Sequence, residues 1–381
     1  MTELDPVYLD HNATTPLLPE VVDAMLPYLR EHFGNPSSAH VYGLRARKAV
    51  AHAREQVAAL IGCDADELLF TSGGTEANNL AIRGVATALE SRPRIVTTVV
   101  EHPATERPCA WLERHGSELT RVGVDGDGRA RVDEAAAAID HKTALVTVMH
   151  SNNETGVLQP VAELAERARA VGALIHTDAA QSVGKVPLSV RWLDVDLLSI
   201  AGHKLYAPKG VGALYVKRGT ALDPFTLGAS HERGLRPGTE NVASIAGLGA
   251  ACEAIASDLS AVLARTRVLR EMLWRRLAAT IPGLALNGHA ELRLPNTLNL
   301  RFPRVTGNDV LAGAPDVAAS TGSACHAGEH SASAVILAMG VLPDDALGSV
   351  RLSLGRGSTE AEVARAADAL IRSYRAAVVR N

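Results

Sequence analysis

The sequence predicts an α/β protein, with a mainly parallel sheet between helices and a smaller α+β lobe at the C-terminal end. Three observations lead there. Between residues 68 and 216, short β-branched runs alternate with Ala/Leu/Arg/Glu-rich helical stretches, the pattern of strand–helix–strand crossovers. After Thr239 the chain turns to long Ala-rich helices, with strand-like runs confined to Asn296–Phe302 and Ser349–Leu354. The chain has 381 residues, 47% hydrophobic and 21% charged, enough for two or three lobes with a large core.

In chain order, helical composition marks Pro19–His32, Ser38–Ile61, Thr75–Leu89, Pro160–Val171 and Ala361–Val378. Strands are expected at Leu68–Thr71, Arg94–Val100, Ala144–His150, Ala173–Thr177, Val195–Ile200 and Val211–Val216. In open α/β sheets ligands bind beyond the carboxyl ends of the strands, so the polar residues just after these runs are the ones to weigh.

The charge balance is 38 basic against 42 acidic residues, a net of −4, which argues against a nucleic-acid binder. No stretch approaches the roughly 20 apolar residues of a membrane span. The opening MTELDPVYLDHNATTP has neither the basic nor the apolar region of a secretory signal, so the expected location is the cytoplasm. Cys63, Cys109, Cys252 and Cys325 are widely spaced, which excludes a zinc knuckle and disfavours a disulfide scaffold.

Three segments carry candidate chemistry. Thr71-Ser72-Gly73-Gly74-Thr75-Glu76 joins a strand to a helix; its glycines and the helix N-terminus suit a phosphate, although a plain capped turn would look the same. Asp178 ends a buried apolar strand, where a carboxylate needs a cationic or donor partner: a protonated pyridine nitrogen, or a structural ion pair. Lys204 follows another apolar strand beside His203; desolvated, its amine would be a nucleophile toward a carbonyl, and otherwise it is a loop-mouth lysine. Together, phosphate cradle, carboxylate and amine are the set that pyridoxal 5′-phosphate requires.

Cys325 lies among Ser320-Thr321-Gly322-Ser323-Ala324 and His326-Ala327-Gly328, small residues that pack little, so its thiol is a candidate to swing toward a substrate. The other three cysteines read as buried filler. Two motifs point elsewhere. His326-Ala327-Gly328-Glu329-His330 has the H-x-x-E-H pattern of a zinc peptidase, but Gly328 and the flanking Ser/Gly residues disfavour the rigid helix it needs. Asp125-Gly126-Asp127-Gly128 begins like a calcium loop, yet Ala130 and Ala136 occupy the positions that demand Gly and Glu, so it reads as a turn.

The segments YLDHNATTP, GNPSSAH, FTSGGTEANN, SNNETGVLQP, HTDAAQ, GHKLYAPKG, ERGLRPGTEN, LPNTLN, STGSACH and VRLSLGRGST, in this order, resemble the cysteine desulfurases. These belong to the class V aminotransferase-like, fold-type-I pyridoxal-phosphate enzymes. The resemblance implies that Lys204 carries the cofactor, that Asp178 pairs with its ring nitrogen and that Gln181 bonds its ring oxygen. His102 would stack on the ring and shuttle protons, while Gly74, Thr75 and His203 hold the phosphate. Thr239 would reach the phosphate of a second subunit, implying a homodimer. Asn153 and Arg351 would bind the carboxylate of L-cysteine, Arg351 as a two-toothed fork. Cys325 would take the sulfur as a persulfide, leaving L-alanine, and pass it to an acceptor protein for iron–sulfur assembly, tRNA or cofactor thiolation, or DNA phosphorothioation.

The same resemblance implies an arm over residues 1–15 packing on the small lobe, a cofactor-binding domain over 16–250 and a small domain over 251–381 that carries Cys325. Neither a membrane nor a nucleic-acid partner is expected. Ala201 departs from the pattern, since many desulfurases carry serine there as a phosphate donor, and the selenocysteine lyases, which share several of these motifs, often have an apolar residue. A selenocysteine lyase therefore stands as the alternative activity, with a pyridoxal-phosphate aminotransferase behind it and a sulfur-carrier scaffold without catalysis as a third.

Overall fold

The computed structural model describes residues 5–322 and 331–380. An N-terminal strand, β1 (Val7–Tyr8), precedes α1 (Pro19–Arg30) and α2 (Val41–Ile61). Strands and helices then alternate: β2 (Leu68–Thr71), α3 (Gly74–Ala88), β3 (Arg94–Thr98), α4 (Pro103–Arg114), β4 (Glu118–Val122), α5 (Val132–Ala138), β5 (Thr143–Thr147) and α6 (Val161–Ala170). The series continues with β6 (Leu174–Asp178), α7 (Val190–Leu193), β7 (Leu197–Ala201) and β8 (Gly212–Val216). Beyond the long helix α8 (Val242–Thr280) come β9 (Ala285–Leu286), β10 (Thr297–Arg301), α9 (Gly307–Ala312) and β11 (Val317–Ala318). The described chain closes with α10 (Ala334–Ala338), α11 (Pro343–Ala346), β12 (Ser349–Ser353) and α12 (Glu360–Arg380).

The large sheet has the order β2-β8-β7-β6-β5-β3-β4. It is parallel throughout except for β8, which runs against both of its neighbours. That reversal leaves β2 pointing the same way as β7, so β2 delivers its carboxyl end to the same edge as the parallel strands. Side chains alternate between faces, as period-two geometry demands. Leu69, Leu145, Leu197 and Leu214 pack with Leu80 of α3 and Leu112 of α4. Phe70, Val146, Leu198 and Ala213 pack on the other face with Val57 of α2, Leu164 of α6 and Leu248 of α8.

A second core gathers Leu298, Leu300, Phe302, Val350 and Leu352 with Leu273 and Leu277 of α8 and Leu370 of α12. Its sheet is antiparallel, in the order β12-β10-β9. Val7 and Leu9 of the N-terminal arm belong to this core, and β1 pairs in parallel with β11. Leu9 N donates to Ala318 O and His11 N to Ser353 O, so the arm is stitched to the last third of the chain.

The expected strands and helices are present, most with ends moved by one to three residues. As composition suggested, more than one helix follows Thr239: the 39 residues of α8 are two helical stretches joined at Asp258, whose φ of −141° is not helical. A window of α8 reaches a mean hydropathy of 1.4, so by length and composition it is apolar enough to cross a membrane, contrary to the expectation from sequence. Its apolar residues Ile245, Leu248, Cys252 and Ile255 are built into the large core against α1 and α2. Helix α4 escaped the composition reading because of its prolines. Pro103 sits at the first turn, where a missing N–H costs nothing, and Pro108 forfeits one bond further in.

Leu300 is fully buried and pairs across β10 with Val350 and Leu286. Leu300→Ala is expected to destabilise the protein by about 2–5 kcal/mol, read from the guanidinium midpoint. A loss well below that would show that the small core repacks around the hole.

Candidate active site

One cavity of about 440 Å³ opens where β2, β5, β6 and β7 end, a size that suits a cofactor with its substrate. Gly74 and Thr75 reach it from beyond β2, His102 from beyond β3, Asn153 from beyond β5, Asp178 and Gln181 from β6, and His203 and Lys204 from beyond β7. The small-lobe side supplies Ser320, Gly322 and Arg351, and the N-terminal arm supplies Asn12 and Ala13.

Asp178 is 7% exposed and is held by two donors. Asn78 Nδ2 reaches its Oδ2 at 2.7 Å, and the Ala180 N–H reaches its Oδ1 at 2.9 Å. Asn78 itself is fully buried, with its second Nδ2 proton on Thr105 Oγ1 and no partner at Oδ1 among the described residues. His102 begins α4, its Nδ1 accepting the Ala104 N–H at 3.1 Å. Burial pushes its pKa down against the pull of Asp178, so the ring is favoured in its neutral form.

Lys204 Nζ donates to the carbonyls of Asn12 and Ala13, both at 2.7 Å. Burial, then the nearby Arg351 charge, lowers its pKa from the usual 10.5 to about 8. This is the desolvation an amine nucleophile needs.

The N-terminus of α3 forms the cradle. Gly73 precedes it with φ +146°, a conformation that L side chains rarely adopt. A Cβ on Gly212 would lie 2.7 Å from Gly73 Cα and 2.4 Å from Ile200 O, so two glycines let β8 back directly onto the loop. First-turn N–H groups of a helix lack partners within it and attract anions. His203 stands beside the cradle with Nδ1 3.2 Å from Thr14 Oγ1, and burial lowers its pKa to about 4. Its contribution to an anion there is a hydrogen bond rather than a charge. Ala201 also lines the cavity; a Cβ on Gly74 would lie 3.2 Å from its own, so the end of β7 and the start of α3 already touch.

Arg351 differs from the expectation of a free fork. Nη2 pairs with Asp10 Oδ1 at 2.8 Å and Nη1 donates to Asn153 O at 3.1 Å, while Nε is buried without a partner among the described residues. Any carboxylate brought to this guanidinium would share it with Asp10. Thr239 is exposed and is not part of the cavity wall. Its loop is tied to the cradle by Arg236, which pairs with Glu76 at 2.8 Å, while Glu76 accepts the Ser72 N–H.

Cys325, with the whole H-x-x-E-H segment, lies outside the described residues. The chain leads toward it from Ser320, whose backbone bridges to Arg351, and from Gly322 on the cavity wall. Glu154 spans the gap between the flanks. It accepts from Ser333 Oγ at 2.6 Å, and its Oε2 would lie 3.1 Å from a Cβ on Gly322. Burial lifts its pKa to about 7. Cys109 and Cys252 are buried and Cys63 half-buried, and burial raises all three thiols, to about 12 for Cys63 and Cys252. Asp125–Gly128 forms a turn, with Asp125 Oδ1 accepting from the N–H groups of Asp127 and Arg129.

The sequence matches the aminotransferase class-V family over residues 7–366. It is 46% identical to a cysteine desulfurase of Trichormus azollae over 361 residues, 94% of this chain and 90% of the relative. It is 44% identical to a cysteine desulfurase IscS of Dictyoglomus turgidum, over 96% and 94% of the two chains. A solved NifS-like protein superimposes with a TM-score of 0.90 at 34% identity, covering 96% and 98%. The chain belongs to the cysteine desulfurases of the class-V aminotransferases. Relatives bearing the desulfurase name do not favour the selenocysteine-lyase alternative.

Cysteine desulfurases are pyridoxal-phosphate enzymes, and the residues here fit that coenzyme. The glycine cradle that a Cβ would fill, the desolvated amine of Lys204 and the doubly held carboxylate of Asp178 face one cavity. Several groups at the site drew no role from sequence. Asn12, 1% exposed, is the largest omission, followed by Asp10, Asn78, Glu154 and Lys185. Asp10, Asn12, Asn78 and Glu154 lie in the family-like segments without an assigned role; burial marks all of the five but Asp10, which is only partly buried and is marked by its pairing with Arg351.

The depressed Lys204 predicts a pH profile. Capture of pyridoxal phosphate by the coenzyme-free protein needs the unprotonated amine, so its rate should rise with pH through about 8 and then level off. Arg351→Ala removes a depressing charge and should move that inflection upward. Stopped-flow absorbance checks both, and a wild-type inflection near 10 would contradict the burial of the amine.

Proposed function

We propose that this chain removes sulfur from L-cysteine on pyridoxal 5′-phosphate, releases L-alanine and holds the sulfur as a persulfide on Cys325 for an acceptor protein. The observation that carries the reading is the meeting of Lys204, Asp178 and the α3 cradle in one cavity, in a chain related to desulfurases over nearly its whole length. Pyridoxal phosphate, when bound, supplies an electron sink for a carbanion at the substrate Cα.

The protein supplies the rest. Asp178, kept in place by Asn78 and Ala180, holds a proton at the ring nitrogen. Gln181 offers an N–H to the ring oxygen, and Gly74, Thr75 and His203 hold the phosphate. Lys204 would hold the coenzyme, and its amine, depressed by burial, would move the proton at the substrate Cα. His102, uncharged, stacks on the ring and relays protons near the same atom. Arg351 and Asn153 fix the substrate carboxylate by charge-assisted hydrogen bonding. The Cys325 thiolate attacks the substrate sulfur: the S–S bond forms as the Cβ–S bond breaks, and Cβ takes up a proton on the way to alanine.

We assign residues 16–250 to coenzyme binding and 251–381 to a smaller domain carrying Cys325, with the arm over 1–15 packed on the latter. The active unit is a homodimer in which Thr239 serves the partner's phosphate. Its exposure, on a loop anchored to the cradle through Arg236 and Glu76, supports this. The cytoplasm is its location, and iron–sulfur assembly or thiolation the use of its sulfur.

Incubation with L-cysteine followed by peptide mass analysis should find one added sulfur on Cys325. Cys325→Ala should keep the coenzyme absorbance and lose sulfur release; sulfur release undiminished in that variant would refute the reading. Arg351→Ala should lower kcat/KM for cysteine by about 10- to 100-fold, chiefly through KM, as expected for loss of a charged hydrogen-bonding partner.

A further inference from the structure

We infer that Lys185 is a positioning residue: it engages the carbonyl end of the Gln181 carboxamide, so that the amide turns its N–H end toward the cavity and the coenzyme's ring oxygen. The inference rests on the coenzyme reading above and extends it to a residue outside the cavity wall.

Lys185 is 7% exposed, and no carboxylate pairs with it among the described residues. Its Nζ donates to Gln181 Oε1 at 2.8 Å and to Asn12 Oδ1 at 3.3 Å. The charged groups that face it are Lys204 and Arg351, both cations, and burial with their repulsion drives its own pKa well down. A buried lysine among cations is costly to keep. Its place is explained if it does a job that an apolar side chain cannot.

The hydrogen-bond pattern names that job. On its other side Gln181 Nε2 donates to the Asn12 carbonyl at 2.9 Å. That carbonyl accepts only, so the nitrogen must face it. The oxygen must then face Lys185, which donates. The second Nε2 proton remains for the cavity, whose wall includes Gln181. Asn12 Oδ1 keeps a second donor, Asn296 Nδ2 at 3.2 Å, if Lys185 is lost. Gln181 Oε1 has no such substitute among its bonds here, and a buried acceptor without a donor is strongly disfavoured. Relief comes from turning the carboxamide, which gives up its bond to the Asn12 carbonyl and brings Oε1 to the cavity, where it would repel a ring phenolate oxygen instead of bonding it.

A donor facing the ring oxygen stabilises the deprotonated coenzyme, so its loss raises the pH at which the bound coenzyme changes its absorption. The test uses the reconstituted full-length enzyme and its absorption spectrum against pH. Lys185→Met should raise the midpoint by about one pH unit, the scale of one hydrogen bond. Lys185→Gln, which keeps a donor, should bring the midpoint much of the way back to the wild-type value. Gln181→Met should raise the midpoint on its own, and adding Lys185→Met to it should change nothing further, since both act through one amide.

A wild-type midpoint in Lys185→Met, or a full extra shift in the double variant, overturns the inference while leaving the coenzyme reading intact. Absence of any coenzyme band in the wild type overturns both. Should Lys185→Met fail to fold, as judged by circular dichroism and Tm, Lys185→Gln is read against the same references. A midpoint between wild type and Gln181→Met supports the role, and one outside that interval rejects it.

Discussion

A single buried asparagine in the N-terminal arm carries the polar architecture of this protein. Asn12 donates its N–H to Ser353 Oγ, and its Nδ2 donates to Thr297 Oγ1 and the Asn153 carbonyl. Its Oδ1 accepts from Lys185 and Asn296, and its carbonyl accepts from Gln181 and Lys204. Buried polar groups must find partners, and here they come from β10 and β12 of the small lobe, from Asn296 just before β10, and from the segments that follow β5, β6 and β7 of the large sheet. Because the arm's apolar residues belong to the small core and its asparagine to the cavity floor, the placement of Lys204 depends on the docking of the arm.

Around that floor the protein leaves few groups charged. Burial lifts Glu101 to about 8 while Thr98 Oγ1 and the Met149 N–H donate to it, and lifts Glu154 to about 7. His150, His176 and His203 are lowered to about 4, chiefly by burial. His176 is fully enclosed between Thr147 and Ser199 and ties three strands together as a neutral ring. At the cavity itself lie the Asp178 side chain, held by Asn78 and the Ala180 N–H, and the Arg351–Asp10 ion pair. Electrostatic interactions shielded from water keep more of their strength than those in solution.

Much of this was legible in the sequence, and the limits are physical. Short apolar runs such as Leu68–Thr71 reported strands because both faces of the strand are buried, and Asp178 and Lys204 stood out as polar residues where an apolar strand stops. The reversal of β8, which brings β2 into line with the parallel strands, leaves no trace in composition. Helix α4 was hidden by Pro103 and Pro108. Asn12 and Lys185 were opaque for another reason: a hydrogen-bond hub has no spacing rule, since its partners are scattered from Gln181 to Ser353. Arg351 was found, but its engagement with Asp10 joins residues 341 positions apart and could not be foreseen.

The pairing of β1 with β11, and of His11 with Ser353, sets a timetable for biosynthesis. A ribosome adding about 5–20 residues per second must work for tens of seconds after the amino-terminal peptide emerges before its pairing strand exists. Throughout that interval Val7 and Leu9 lack the small core that covers them in the folded chain.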